Sequence, residues 1–157
     1  MITKVGQSAA IDISFQVMNV ADLDSVLVIE RAICAVPWSR RNFKDCLDSD
    51  NQCWIMLIKG QHAGHSVLSE VAGEAELLNI SIDSKYQGMG LGRELLRYML
   101  RKAAELDAQR VFLEVRESNR VAQSLYSSEG FNEVGLRAAY YPAAKGREDA
   151  VIMALEL

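Results

Sequence analysis

The sequence predicts a single domain of the mixed α/β class, a central and mostly antiparallel sheet with helices on both faces. Three observations carry this. Short β-rich runs follow one another across turn-length gaps in the first half, as hairpins do. One later run leads into a long amphipathic helix and then another compact strand, the pattern of a parallel crossover. The chain has 157 residues, half of them hydrophobic, enough for one core but not for a second catalytic domain.

The elements follow in order. Residues 1–10 are small and polar and are expected to fray, leaving residues 11–157 as the domain. Residues 13–18 read as a short strand. Asp22 or Asp24 then opens a helix to Ala32, with Leu23, Val26, Leu27 and Ile29 on the 3–4 spacing. Pro37-Trp38-Ser39 interrupts it, and Ser39 caps a second helix to about Leu47. Residues 53–59 form a strand, Gly60-Gln61 a tight turn, residues 63–71 the next strand and, after a turn at Gly73, residues 74–82 a third. A loop over residues 83–90 leads to a helix marked by Leu91, Leu95, Leu96, Met99, Leu100, Ala103 and Leu106. Residues 110–115 are a strand, and Ser118 or Asn119 caps a helix that Gly130 ends. Residues 131–136 and 150–157 are the last strands, joined by a loop holding Tyr140, Tyr141, Pro142 and Gly146.

Composition narrows the function. Seventeen Lys and Arg against twenty-one Asp and Glu leave a net charge of -4, which argues against a broad phosphate-binding surface for nucleic acid. No stretch approaches the ~20 apolar residues that cross a bilayer, and no signal-peptide pattern opens the chain, so a cytoplasmic protein without a membrane partner is expected. Cys34, Cys46 and Cys53 are odd in number and irregular in spacing, neither a disulfide framework nor a zinc pattern. His62 and His65 are three apart on a strand, which puts them on opposite faces and argues against a shared metal. Arg40-Arg41 reads as a solvated helix start.

The most informative segment is Ile80-Ser81-Ile82, a short loop, and then Gln87-Gly88-Met89-Gly90-Leu91-Gly92-Arg93. It runs from strand through glycines at alternate positions into a helix. Glycines let backbone N–H groups turn toward an anion, and a helix N-terminus adds unpaired donors and the positive end of its dipole. A pyrophosphate suits such a cradle. No Gly-Lys-Ser/Thr follows, so it is not the P-loop of nucleotide hydrolases, and the glycine spacing is not the dinucleotide fingerprint either.

In this segment the chain resembles the GNAT superfamily of acetyl-CoA-dependent N-acetyltransferases, whose pattern is (Gln/Arg)-x-x-Gly-x-(Gly/Ala) between a strand and a helix. The element order extends the resemblance over nearly the whole chain. It implies that residues 87–93 hold the coenzyme A pyrophosphate, with Gly90 too close to it to carry a side chain. It also implies that Ile80, Ser81 and Ile82 lie beside the pantetheine arm. Pro37-Trp38-Ser39, Leu113-Glu114-Val115-Arg116-Glu117-Ser118-Asn119, Leu125-Tyr126, Tyr140-Tyr141-Pro142 and Gly146-Arg147-Glu148-Asp149-Ala150 are similar to one branch of it. That branch acetylates the N-terminal alanine of the eighteenth small-subunit ribosomal protein.

Acetyl transfer to an amine needs a neutral nucleophile, donors for the oxyanion and stabilisation of the leaving thiolate. Glu114 is the lone charge in the apolar run of residues 111–115 and shares a face with Phe112 and Arg116. On spacing alone it is a surface acid, an acid paired with Arg116, or a base; the resemblance implies the base. Tyr126, on the next helix, reads from spacing as a core aromatic, and the resemblance implies the acid that meets the coenzyme sulfur. Asn119 is a helix cap that the resemblance also sets against the coenzyme. Trp38 is either a core residue or, with Tyr140 and Tyr141, part of the lining expected on the acceptor side, and Glu148 and Asp149 are expected to attract a basic N-terminal segment or to sit in a solvated turn. Acetyl-CoA is then the cosubstrate and no metal is needed. A family member acting on a small amine or a lysine, or a non-catalytic acyl-CoA-binding protein, are the alternatives.

Overall fold

The computed structural model describes residues 2–5 and 11–157. Among the described residues eight strands and four α-helices follow in this order: β1 (Ile2–Val5), β2 (Ile11–Val17), α1 (Leu23–Ile33), α2 (Arg40–Asp48), β3 (Gln52–Ile58), β4 (Gln61–Val71), β5 (Glu74–Ile82), α3 (Leu91–Glu105), β6 (Arg110–Arg116), α4 (Arg120–Ser128), β7 (Asn132–Pro142) and β8 (Arg147–Glu156). The strand order is β1-β2-β3-β4-β5-β6-β8-β7. The β1–β2, β2–β3, β3–β4, β6–β8 and β7–β8 pairs are antiparallel, and β5–β6 is parallel. The expected fold class, a mostly antiparallel sheet with helices, is what the chain adopts. The frayed start is corrected over residues 2–5, which pair with residues 11–14 of β2; residue 1 and residues 6–10 lie outside the described residues.

The chain divides into two compact units, one of residues 1–69 and 79–99 and one of residues 70–78 and 100–157. In the first, Ile13 and Phe15 of β2, Leu23, Val26 and Leu27 of α1, Ile55 and Met56 of β3, and Leu95, Leu96 and Met99 of α3 are buried. Phe15 stacks on Tyr98 at 3.9 Å between ring centroids. The entry to α1 starts earlier than Asp22: Asn19 caps the 3-10 turn Val20–Asp22, and the Asn19 N–H donates to Asp22 Oδ2 at 2.8 Å. Ser39 caps α2 as expected, in a reciprocal box with Asn42.

Two details correct the strand reading. The β3–β4 turn is Lys59-Gly60 rather than Gly60-Gln61, with φ of 50° and 78°. A two-residue hairpin turn of this hand needs positive φ at both central positions, and Gly60 supplies the second without strain. A bulge then breaks the β3–β4 register, Leu57 facing His62 while Met56 faces Gly64. The extra residue, Ala63, reverses the alternation beyond it. His62 and His65 therefore share a side, with ring centroids 5.7 Å apart.

In the second unit β6 alternates cleanly. Val111, Leu113 and Val115 are buried, while Phe112, Glu114 and Arg116 are partly exposed. Ala150, Val151 and Met153 of β8, Tyr126 of α4 and Phe131 complete this core. Gly130 ends α4 with φ 101°. β7 and β8 both reach further than expected, to Pro142 and from Arg147. Tyr140, Tyr141, Glu148 and Asp149 are strand residues, not loop residues, because cross-strand pairing overrides the local turn signals of Pro142 and Gly146. Among the described residues no helix is long and apolar enough to cross a membrane.

Candidate active site

The glycine segment belongs to the first unit. The Asp83 N–H donates to the Ala63 carbonyl at 2.8 Å, fixing the end of β5. The Asp83 side chain accepts from the Lys85 N–H and caps a 3-10 turn over Ser84–Tyr86. Gln87 reaches back, its Nε2 donating to the Ile82 carbonyl at 3.0 Å. Gly88 and Gly90 take φ of 78° and 77°, which turns the backbone as an amide cradle requires. A Cβ at Gly90 would meet no atom of the chain within 4 Å. The positive φ disfavours a side chain here, whereas this chain does not crowd the position. The α3 ladder begins with the Glu94 N–H to the Gly90 carbonyl, so the Leu91 and Gly92 amides have no intrahelical acceptor. Gly92 and Arg93 lie in the helix, Leu91 is buried and Met89 is half exposed.

Ile80 and Ile82 are partly exposed, whereas Ser81 is buried. The Ser81 hydroxyl donates to Glu30 Oε1 at 3.1 Å. Glu30, on α1 and 1% exposed, is a hub the sequence reading missed. Oε1 also meets His65 Nε2 at 3.0 Å. Oε2 accepts from the Trp38 N–H and from Asn79 Nδ2, both at 3.2 Å. Burial works to raise the Glu30 pKa, but hydrogen bonds from His65 and the Trp38 backbone, with the His65 charge and Ser81, outweigh it and hold the carboxyl below its usual value. One residue thus joins α1, the α1–α2 loop, β4 and β5. The signal was present: positions 23, 26, 27 and 30 form one stripe of α1, and an acid on an apolar stripe needs partners. Trp38 packs its ring on Phe43, with centroids 5.0 Å apart. Burial drives His62 down to about 4, so it is neutral at physiological pH.

The second unit holds the other candidates. The side chain of Glu114, opposite Ile152 in the β6–β8 ladder, is 18% exposed and meets Arg137 Nη2 at 3.3 Å. Its partner is therefore not Arg116, which instead binds Glu148 at 2.7 Å and the Pro142 carbonyl at 2.7 Å. Tyr126 is buried beside Phe131. Burial, with the Tyr141 charge adding, pushes its phenol up to about 12. Asn119 caps α4 by accepting from the Ala122 N–H. Gln123 Nε2 donates to the carbonyls of Arg116 and Glu117 at 2.9 and 2.8 Å, which ties the β6–α4 connection to the helix. Tyr140 and Tyr141 meet edge to face at 4.9 Å. The Arg137 and Arg116 guanidinium groups lie over these two rings, each 4.6 Å from the ring centre. Burial comes first, and the Glu114 charge second, in raising Tyr141 to about 12.

The two acids expected to attract a basic segment are already engaged. Glu148 holds Arg116 and the Ser118 N–H, and Asp149 Oδ1 accepts from the Ala139 N–H at 2.8 Å. Arg137 and Arg147 were overlooked as partners, and Arg116 was considered only as a partner of Glu114. Their only sequence signal was positive charge on strands otherwise read as apolar or as loop. Among the described residues no group of His, Cys, Asp or Glu is arranged to hold a metal ion.

The chain is similar to proteins already known. Residues 23–131 match the acetyltransferase (GNAT) family. The chain is 38% identical over 140 residues to the [ribosomal protein bS18]-alanine N-acetyltransferase of Escherichia coli K12, covering 89% of this chain and 95% of that one. The Haemophilus influenzae protein of the same name is 38% identical over 141 residues, covering 89% and 96%. The crystal structure of the E. coli ribosomal-protein-S18-alanine N-acetyltransferase superposes with a TM-score of 0.87 at 37% identity, covering 92% of this chain and 93% of that one. The family match over more than half of the chain, with relatives 38% identical along most of it, shows that this chain belongs to the acetyltransferase (GNAT) family.

Proposed function

We propose that the protein transfers the acetyl group of acetyl-CoA to the α-amine of the N-terminal alanine of the ribosomal protein bS18, in the cytoplasm. The observation that carries this is 38% identity, spread over 89% of the chain, to the enzyme of that name. The amides of residues 88–92 take the coenzyme pyrophosphate, Gln87 and Arg93 frame that turn, and Asn119 contacts the coenzyme while capping α4. The edge of β5 at Ile80, Ser81 and Ile82 takes the pantetheine arm, with Ser81 presenting only its backbone because its hydroxyl is committed to Glu30.

Glu114 accepts the proton of the incoming amine, directly or through a water. An α-amine has a pKa near 8, against about 10.4 for lysine, so a carboxylate suffices near neutral pH. The amine nitrogen bonds to the thioester carbon, the C–S bond breaks and the sulfur leaves as thiolate. Tyr126, with its pKa raised to about 12, is a weaker acid than a thiol at about 8.5. It is therefore suited to stabilise the thiolate by donating a hydrogen bond rather than by surrendering its proton. Trp38, Tyr140 and Tyr141 line the acceptor side and favour a small first residue. Glu148 and Asp149 shape that wall.

The test is a peptide series that differs only in residue one, Ala, Ser, Gly, Leu or acetyl-Ala, followed by basic residues and assayed beside spermidine and free lysine. Transfer to Ala well above Leu, with none to acetyl-Ala, is expected. Leu accepted as well as Ala, or acetyl-Ala modified at an internal lysine, assigns the protein to another acceptor. No transfer to any amine makes it an acyl-CoA-binding protein.

A further inference from the structure

Ala139 has φ 51°, a conformation that L side chains other than Asn and Asp seldom adopt. Its neighbours, Arg137, Ala138 and Tyr140, give it no local reason to do so. The register explains the placement. Arg137 pairs with Ala150 and Tyr141 with Glu148, so β7 spends four steps where β8 spends two. The surplus forms a bulge, and β8 holds it with side chains. Asp149 Oδ1 accepts from the Ala139 N–H at 2.8 Å. Arg147 Nε donates to the Ala139 carbonyl at 2.7 Å, and its Nη2 to the Tyr140 carbonyl at 2.6 Å. The two residues stand two apart on one strand and so project from one face. They grip the bulge at one amide and two carbonyls. Downstream of it stand the crossed rings of Tyr140 and Tyr141, and upstream of it Arg137, which touches both the Tyr140 ring and Glu114.

We propose that Asp149 and Arg147 are positioning residues that set acceptor specificity, by holding the Ala139 bulge that presents the Tyr140–Tyr141 wall. This rests on the acceptor reading above and names the side chains that give it shape. Asp149 acts through Ala139 and does not touch the substrate.

Four variants test it: Asp149→Ala, Asp149→Asn, Arg147→Ala and the double variant Asp149→Ala with Ala139→Gly. Two readouts are needed, hydrogen exchange of the residue 139 amide and kcat/KM for Ala-Arg against Leu-Arg peptides. Asp149→Ala should speed the exchange at least ~10-fold and lower the Ala-to-Leu preference about tenfold, as expected for losing a hydrogen bond to a charged acceptor. The change should lie in the peptide KM, with the acetyl-CoA KM within about twofold of wild type. Arg147→Ala should move the preference in the same direction. Asp149→Asn keeps an acceptor oxygen and should behave as wild type. The double variant should recover the preference while its residue 139 amide still exchanges fast, because glycine holds positive φ unaided.

Unchanged exchange and preference in a folded Asp149→Ala protein, under a wild type that does prefer Ala, would overturn this proposal alone. So would a folded double variant that recovers nothing. A wild type without Ala preference would overturn the acceptor reading, and the specificity role with it.

Discussion

Glu30 and Glu114 are carboxylates of the same kind, one in each compact unit, held in opposite ways. Glu30 is 1% exposed and accepts at both oxygens, from His65 and Ser81 on one and from Trp38 and Asn79 on the other. Glu114 keeps part of its side chain in solvent and meets one half-exposed guanidinium, that of Arg137, at 3.3 Å. A carboxylate whose lone pairs are saturated by fixed donors has no capacity left for an incoming amine, and its free energy goes into order. A carboxylate whose partner is a half-exposed cation can exchange that partner for a substrate proton. If Glu114 is the base proposed above, the two sites divide structure from chemistry, and variants of each can break that division.

The largest effect should come at Glu114. Glu114→Gln keeps the shape and removes the proposed base, and turnover at neutral pH should fall by ~10²–10⁴-fold. The deficit should shrink as the pH rises through the acceptor's own pKa of about 8. Thermal stability should hardly move, since a partly exposed pair contributes about 0–1 kcal/mol. Steady-state rates across pH 6–9 and a melting curve check both halves. A variant with wild-type turnover, where chemistry limits the rate, removes Glu114 from the mechanism.

Glu30 should show the reverse. Glu30→Ala leaves the donors of Trp38, His65, Asn79 and Ser81 without their acceptor, and breaking a buried pair costs about 3–5 kcal/mol. Its pH signature follows from the lowered pKa. Below its folded-state pKa Glu30 is protonated whether the chain is folded or not, and its pH-linked stabilisation is gone. That stabilisation is complete above the unfolded value of 4.5 and drains away as the pH falls from there through the folded pKa. Denaturant melts at pH 7 and in the acid range should show a loss in the wild type that is smaller in Glu30→Gln. A Glu30→Ala protein as stable as wild type but inactive would mean that the hub belongs to the chemistry.

The same contrast explains what the sequence disclosed. Glu114 was visible because one acid interrupts an apolar strand of period two, and the β6 alternation bears that placement out. The glycine turn was visible because its residues have few other uses between a strand and a helix. Glu30 hid in a helix where an acid next to Arg31 looks like surface, and its meaning depends on His65, Asn79 and Ser81, residues 35 to 51 positions away. The bulges were invisible for a related reason. Ala63 and Ala139 carry no turn chemistry, and partner strands impose their conformations. One such bulge reversed the expected faces of His62 and His65. Local signals name residues whose chemistry is unusual for their element, whereas a residue made important by distant partners looks ordinary until the chain is folded.

The smallest effect sharpens the comparison most. If Glu114 is held loosely, removing its cation should cost little stability. Arg137→Gln deletes the ion pair and the guanidinium face on Tyr140. The Arg137 side chain is 52% exposed, so screening by water limits the pair to about 0–1 kcal/mol, and the face-on contact at an exposed site adds about 0.5–1 kcal/mol. Together these predict a melting shift of a few degrees for a chain of this length. Adding salt to the wild type should weaken the ion-pair part, because the Debye length falls from about 10 Å at 0.1 M to about 3 Å at 1 M. The gap between wild type and Arg137→Gln should therefore narrow in 1 M salt. The Glu30→Ala gap should persist there, since a pair sealed from solvent is screened far less. Calorimetric melts of the three proteins at low and high salt decide it. An Arg137→Gln loss above about 2 kcal/mol that survives 1 M salt would mean that Glu114 is held as rigidly as Glu30. The division between a structural and a chemical carboxylate would then have to be abandoned.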